Sequence, residues 1–222
     1  MITAERKPLE EIIEYIKPFK RILLLGCNEC VTVCAAGGRK EVGLLASGLQ
    51  LALLKSGSSI EIREHTLERQ CDPEYVEELV PMIGSEEAIL SMACGCGVQQ
   101  LAARFKEMPV FPALNTKFMG GSLGQGVWDE RCKGCGDCVL GITGGICPIA
   151  KCAKQLMNGP CGGSTGGHCE ISDDVDCVWQ LIWDRLKALG QQDRFLDIMP
   201  AKDWRSGGGG GPRKIIREDL AE

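Results

Sequence analysis

Histidine is nearly missing from this chain of 222 residues, which holds only His65 and His168. Two imidazoles cannot serve several Cys₂His₂ fingers or a histidine-rich catalytic metal site. Each reads as a surface or satisfied histidine rather than a ligand. No Ser-His-Asp set, carboxylate pair or phosphate loop is present, so acid–base or nucleophilic catalysis has no visible equipment. An excess of base is missing too: 30 acids against 25 bases give a formal charge of −5. A nucleic-acid partner, which needs Lys and Arg against phosphates, is therefore not expected. No apolar run reaches the length of about 18 residues that a membrane span requires. The opening MITAERKPLEEIIEYIK is charged rather than apolar, which predicts neither a membrane span nor a signal peptide and points to the cytoplasm. The glycines at Gly95/Gly97 and Gly120–Gly126 do not open a helix as a dinucleotide loop would.

What the chain has instead is 14 cysteines. A disulfide framework belongs to short secreted chains, so in a reducing compartment these thiols need another use, and clustered thiolates mean metal. The choice lies between iron–sulfur clusters and all-thiolate zinc. The cysteines divide unevenly. Six (Cys27, Cys30, Cys34, Cys71, Cys94, Cys96) precede residue 100, and eight fall between Cys132 and Cys177. Fourteen of the 29 glycines lie between Gly120 and Gly167, so composition changes near residue 127. The expected organisation is an α/β domain over 1–127, a Cys/Gly-rich cluster-binding domain over 128–177, and a helix with a partner-binding tail over 178–222.

The first part alternates strand and helix patterns. Leu9–Lys17 reads as an amphipathic helix, Ile22–Leu25 as a buried strand, and Gly43–Lys55 as a helix. Ile60–Ile62 is a short strand, Pro73–Leu79 helical, Ala88–Ala93 a strand, Gly97–Lys106 a helix and Val110-Phe111 a last strand. This alternation predicts a small parallel sheet of flavodoxin or Rossmann type, covered on both faces. Cys27 and Cys94 then follow strands directly and Cys71 follows one after a loop. All three places lie at the carboxyl edge, where such folds keep their sites. Cys30 and Cys34, four apart, share a helix face. A metal site from Cys27, Cys30, Cys34 and Cys94 is expected, with Cys71 competing for one position and Cys96 a buried spare.

The second part carries the C-x₂-C-x₂-C run Cys132, Cys135, Cys138, a spacing suited to three irons of a [4Fe–4S] cube. Cys147-Pro148 comes eight residues on, so a ferredoxin fold is not implied. Cys152, Cys161, Cys169 and Cys177 complete eight thiols, the number two cubes need, with zinc an alternative in one site. Two or three [4Fe–4S] clusters are thus expected in the chain, and which cysteine completes which cube is not readable. The segment has too few large apolar residues for its own core and should fold around bound metal or against a partner. Trp179 and Trp183 on the helix after it serve either a core or a partner surface, and the Gly207–Gly211 run with its flanking prolines reads as a flexible strap.

Several blocks together carry a family resemblance. They are Gly26-Cys27-x-x-Cys30-x-x-x-Cys34-x-x-Gly37-Gly38, Cys94-Gly-x-Gly97-Val98-Gln99, Asn115-Thr116-x-Phe118-x-Gly120, Cys135-Gly-Asp-Cys138-Val-Leu140, Gly144-Gly-Ile-Cys147-Pro148, Asn158-Gly-Pro-Cys161-Gly-Gly-Ser164, Cys169-Glu170 and Cys177-x-Trp179. Over almost its whole length the chain resembles the small cysteine-rich subunit of acetogen-type methylenetetrahydrofolate reductase. The resemblance implies an iron–sulfur electron-transfer subunit of a heteromeric oxidoreductase in the Wood–Ljungdahl pathway. It also implies a TIM-barrel partner that binds FMN or FAD and the folate and transfers hydride. A further electron-donating subunit or a ferredoxin would complete the relay. The competing expectation is a zinc-stapled scaffold with no redox role.

Overall fold

The computed structural model describes residues 1–220, so Ala221 and Glu222, the end of the expected tail, lie outside the described residues. The chain forms two units, Met1–Trp128 and a second from Asp129 onward. In chain order the first carries β1 (Ile2–Arg6), α1 (Leu9–Ile16), β2 (Arg21–Cys27), α2 (Cys30–Val33), α3 (Arg39–Lys55), β3 (Glu61–Leu67), α4 (Pro73–Glu77), β4 (Ala88–Ser91), α5 (Gly95–Arg104), β5 (Val110–Pro112) and β6 (Leu114–Gly124). Strand β7 (Val127–Cys132) runs across the division, and α6 (Pro148–Lys151), β8 (His168–Cys169), β9 (Ser172–Asp176) and α7 (Val178–Ala188) follow.

The parallel sheet has the order β3-β2-β4-β5. Numbered within the sheet that is 2-1-3-4, the flavodoxin-like order, whose topological switch point lies at the carboxyl ends of the first and third strands. Here those strands are β2 and β4. The pleat of β2 explains its unbroken apolar run. Ile22 and Leu24 enter one core with Ile12, Leu45 and Leu49, while Leu23 and Leu25 enter another with Leu79 and Leu101. All four side chains of the run are fully buried, which only a sheet covered on both faces permits.

A second, antiparallel sheet has the order β1-β6-β7. The charged opening segment is its first strand, pairing Ile2 with Met119 and Arg6 with Leu114 across a bulge at Thr3/Ala4. Its burial does not alternate, with Thr3 and Ala4 buried in succession and Glu5 and Arg6 exposed, because the bulge interrupts the pleat, and its partner lies more than 100 residues away in sequence.

The second unit has a small core of its own. Helix α7 buries Val178, Trp179, Ile182 and Leu186 with Cys177 and Met199, and Val139, Ile146, Met157 and Phe195 pack against them. The segment before the helix thus does not rely on its own apolar residues, because the helix expected to reach outward supplies them. Trp179 Nε1 donates to the Leu156 carbonyl at 3.2 Å, and the indole meets Phe195 edge-on at 5.9 Å. Trp179→Ala should destabilise this unit by about 4 kcal/mol, the cost of emptying a buried indole site. Denaturant unfolding followed by far-UV circular dichroism measures it. No helix among the described residues is long and apolar enough to cross a membrane.

Candidate metal centres

In the first unit, three cysteine-bearing segments meet at the switch point. Cys27 ends β2, Cys94 caps the N-terminus of α5 just after β4, and Cys71 lies between β3 and α4. They are fastened by Gln70, which is fully buried. Its Nε2 donates to the carbonyls of Leu25 and Gly26 at 2.9 and 2.8 Å, and its Oε1 accepts from Ser91 Oγ at 2.5 Å. Ser91 Oγ in turn accepts the Ala93 N–H at 3.2 Å. The carboxyl ends of β2 and β4 and the Cys71 segment are therefore joined through one side chain.

Each thiol there responds to the others. Burial pushes Cys27 up, against the N–H groups of Glu29 and Gln70 that favour its thiolate, and the Cys71 and Cys94 thiols push it further. Cys71 is raised by burial and then by Cys94, with Cys30 contributing less. Cys96 is raised by burial and then by Cys94, with Cys71 and Cys30 behind it. Cys96, expected as a buried spare, is exposed, as is Cys71. Cys34 behaves differently. It is the C-cap of the one-turn α2, and Ala35 after it takes φ +52°. Its sulfur points to the carbonyls of Ala4 and Val31, at 3.7 and 3.6 Å, and it is buried in the core. Burial raises this thiol as well, against the N–H groups of Ala4, Cys34 and Ala36 that favour its thiolate, and the Cys30 thiol adds to the rise.

In the second unit, Cys132 Sγ accepts the Gly134 N–H at 3.3 Å, and Gly134 and Gly136 sit at φ +61° and +83°. Left-handed glycines with a backbone N–H turned on sulfur are what a thiolate loop requires. Cys147 and Cys152 cap the two ends of α6. Cys161 lies 3.5 Å from Glu170 Oε2, and Glu170 pairs with Lys154. Lys154 is raised chiefly by that hydrogen bond, with the Cys161 and Cys152 thiols adding to it. Cys177 caps the N-terminus of α7. Burial pushes its thiol up, but the Ser164 hydroxyl and the N–H groups of Gln180 and Trp179 outweigh it and leave the thiol below its ordinary value. Cys138 and Cys169 stand on the surface loop and on β8.

The strap returns to the Cys132–Cys138 loop. Ser206 Oγ donates to the Cys135 carbonyl at 2.9 Å, and Arg213 Nη1 to the carbonyls of Gly134 and Ser206 at 2.9 and 2.8 Å. Lys202 Nζ donates to the Asp137 carbonyl at 2.8 Å, with its side chain 1% exposed. The expected flexible segment thus spends its polar groups on carbonyls of its own chain, contacts that no spacing in the sequence announces. Lys202→Ala removes a hydrogen bond from a charged donor, about 2 kcal/mol. Limited trypsin digestion should then cut at Arg205 and Arg213 many times faster than in the unaltered chain.

Among the described residues, no three His, Cys, Asp or Glu side chains stand close enough together to hold a metal ion. What the chain gathers are neighbourhoods of thiols. Cysteine is the metal-binding residue type most frequent in these neighbourhoods, and that donor chemistry suits a thiolate centre.

Fold and site together describe a protein with a flavodoxin-like sheet and a separate cysteine-rich unit. Residues 111–205 match the family described as methylene-tetrahydrofolate reductase C terminal, a span that includes all eight cysteines from Cys132 to Cys177. Over that segment, less than half of its length, the chain is similar to that family. No curated protein matches the chain. Among solved structures, the amino acid ABC transporter substrate-binding protein from Pseudomonas fluorescens Pf-5 aligns at 15% identity over 46% of this chain, with a TM-score of 0.28. The chain covers 26% of that protein.

Proposed function

We propose that this chain is the iron–sulfur electron-transfer subunit of a methylenetetrahydrofolate reductase, relaying electrons between an external donor and the flavin of a TIM-barrel catalytic partner. The observation that carries the reading is the family match over 111–205, because it falls on the segment where eight cysteines and a glycine-rich wrap coincide. When bound, [4Fe–4S] clusters supply one-electron steps to a flavin that collects two. Cys132, Cys135, Cys138, Cys147, Cys152, Cys161, Cys169 and Cys177 would hold the clusters of the second unit, and a centre at the switch point would be the third.

The chain's own groups are arranged to favour thiolate. The Gly134 N–H reaches Cys132, and the Ser164 hydroxyl with two N–H groups at the start of α7 reaches Cys177. Hydrogen bonds to sulfur stabilise negative charge and tune reduction potential. Lys202 and Arg213 bring cations to the Cys132–Cys138 loop, which would favour the reduced, more negative form of a cluster held there over its oxidised form. Leu196 and Ile198, 81% and 86% exposed, offer apolar contact to a partner.

Anaerobic purification with its catalytic partner, followed by metal analysis and electron paramagnetic resonance, tests the reading. Eight to twelve irons per chain, with signals of reduced cubes, is the expected result at about four irons per cube. A colourless protein containing zinc alone would overturn it in favour of a stapled scaffold.

A further inference from the structure

We propose that the outer face of α3 is a docking surface for a helix on the outside of the TIM-barrel catalytic partner, one with an apolar seam and acidic residues at both ends. The proposal rests on the reading of this chain as a subunit of that complex, and it concerns a part of the chain outside the family match.

Helix α3 spans 17 residues, and its inner side is spent on the core of the first unit, where Val42, Leu45, Ala46, Leu49 and Leu53 are buried. Its outer side carries three more leucines, Leu44, Leu51 and Leu54, at 53%, 70% and 72% exposure. With Ser47 they stand three, four and three residues apart, the a/d pattern by which one helix packs its knobs into the holes of another. A helix that served only its own core would carry polar residues along that stripe. Gly43 and Gly48 flank the seam. A Cβ at Gly48 would meet nothing within 4 Å, so packing inside the chain does not require glycine at a position where it weakens a helix. The bare backbone there lets a second helix approach closely. At its last turn the seam adjoins a cavity of about 180 Å³ lined by Gln50, Leu53, Leu54, Ser58, Ser59 and Ile60, room for one anchoring side chain.

Charge identifies the occupant. Arg39 and Lys40 are exposed in the first turn of α3, and Lys55 is exposed in the last. Among the described residues none of the three belongs to an ion pair. The acid of the first turn, Glu41, is buried, and its carboxylate accepts the Gly38 N–H at 3.1 Å. Glu64 stands at the side of the face, 3.7 Å from where a Gly43 Cβ would lie. Arg39 and Lys40 thus add to the positive end of the helix dipole, where acids are the favoured residues. The face is apolar along its middle and cationic at both ends, in a chain of net charge −5. A second copy is a poor match, because two α3 helices would set cation against cation whether they ran parallel or antiparallel. A helix with acids at both ends complements it, and a TIM barrel presents a ring of helices on its outside.

The test measures association of the full chain, purified anaerobically, with the separately purified catalytic partner by biolayer interferometry. Leu44→Glu and Leu51→Glu should each weaken binding about 30-fold, the scale of losing an apolar anchor. Both side chains are exposed, so the melting temperature should stay within about 2 °C of the unaltered chain. The double variant Lys40→Glu/Lys55→Glu should associate about tenfold more slowly at low ionic strength and lose the salt dependence of the unaltered chain. Leu123→Glu, at an exposed leucine of β6, should bind normally. Undiminished binding by both leucine variants overturns the docking surface and leaves the subunit reading standing. Salt dependence kept by the lysine double variant overturns the acidic-ended occupant. Failure of the unaltered chain to bind the partner overturns the subunit reading and the docking surface together. Sedimentation of the unaltered chain alone should show a monomer, and a dimer dissolved by Leu51→Glu would give this face to a second copy and overturn the proposal.

Discussion

Gly37→Ala should lower the melting temperature by about 10 °C, on the basis of about 3 kcal/mol of overpacking in a chain of this size. A Cβ at Gly37 would lie 1.9 Å from the Met92 carbonyl oxygen and 3.0 Å from Val31 Cγ2. Neither side can yield easily. The Gly37 carbonyl accepts the Cys27 N–H at 2.9 Å, and the Met92 N–H donates to Leu25 at 2.8 Å. The new methyl therefore pushes the end of β4 away from the end of β2, separating Cys94 from Cys27. Thermal unfolding by circular dichroism gives the magnitude. Gly48→Ala is the natural comparison, since its Cβ would meet nothing within 4 Å in the middle of α3. That change should stabilise the helix by about 0.8 kcal/mol through propensity alone. The two glycines lie eleven residues apart and carry opposite expected signs, so a fall in both would refute the packing argument.

Cys135→Ala is expected to cost the second unit one whole cluster, about four irons per chain, with a corresponding loss of paramagnetic signal. The substitution leaves the contacts of the strap in place, because Ser206 bonds to the Cys135 carbonyl rather than its sulfur, and Arg213 bonds to the Gly134 carbonyl. Any loosening of the loop is then attributable to metal. The core formed by α7 contains Trp179, Ile182 and Leu186 and does not include Cys135. Hydrogen exchange should therefore rise over the Cys132–Cys138 loop, while α7 and the first unit keep their protection. Full iron content in this variant would remove Cys135 from the ligands. Unfolding of α7 would show that the small apolar core cannot hold without metal.

The strand-helix alternation of the first unit was legible because burial on both faces leaves an unmistakable pattern. Ile22–Leu25 is apolar without interruption, and the helices after it carry their own period. The antiparallel sheet was not legible. Its strands are half-wet, β6 contains several glycines, and its pairing with β1 joins residues at opposite ends of the first unit. Cys30 and Cys34 do share the face that their spacing implies, since the Cys34 N–H reaches the Cys30 carbonyl at 3.3 Å, but that Cys34 is buried and Cys30 half-buried is not legible in the spacing. Gln70 left no sequence signal beyond its place beside Cys71, since a buried amide is recognisable only by the carbonyls it reaches.

By itself the sequence determined the shortage of histidine, the abundance of thiol, the division of that thiol into six and eight, and the parallel sheet that carries part of it. These follow from composition and from periodicities of two and 3.6 residues, which are local properties of the chain. Tertiary structure alone decided which thiols are neighbours, which one is sealed in the core, and where the strap lies. Those outcomes depend on single hydrogen bonds between residues 20 to 80 positions apart, such as Ser91 to Gln70 and Arg213 to Gly134. A fold fixes such bonds by geometry, and no pattern along the chain encodes them.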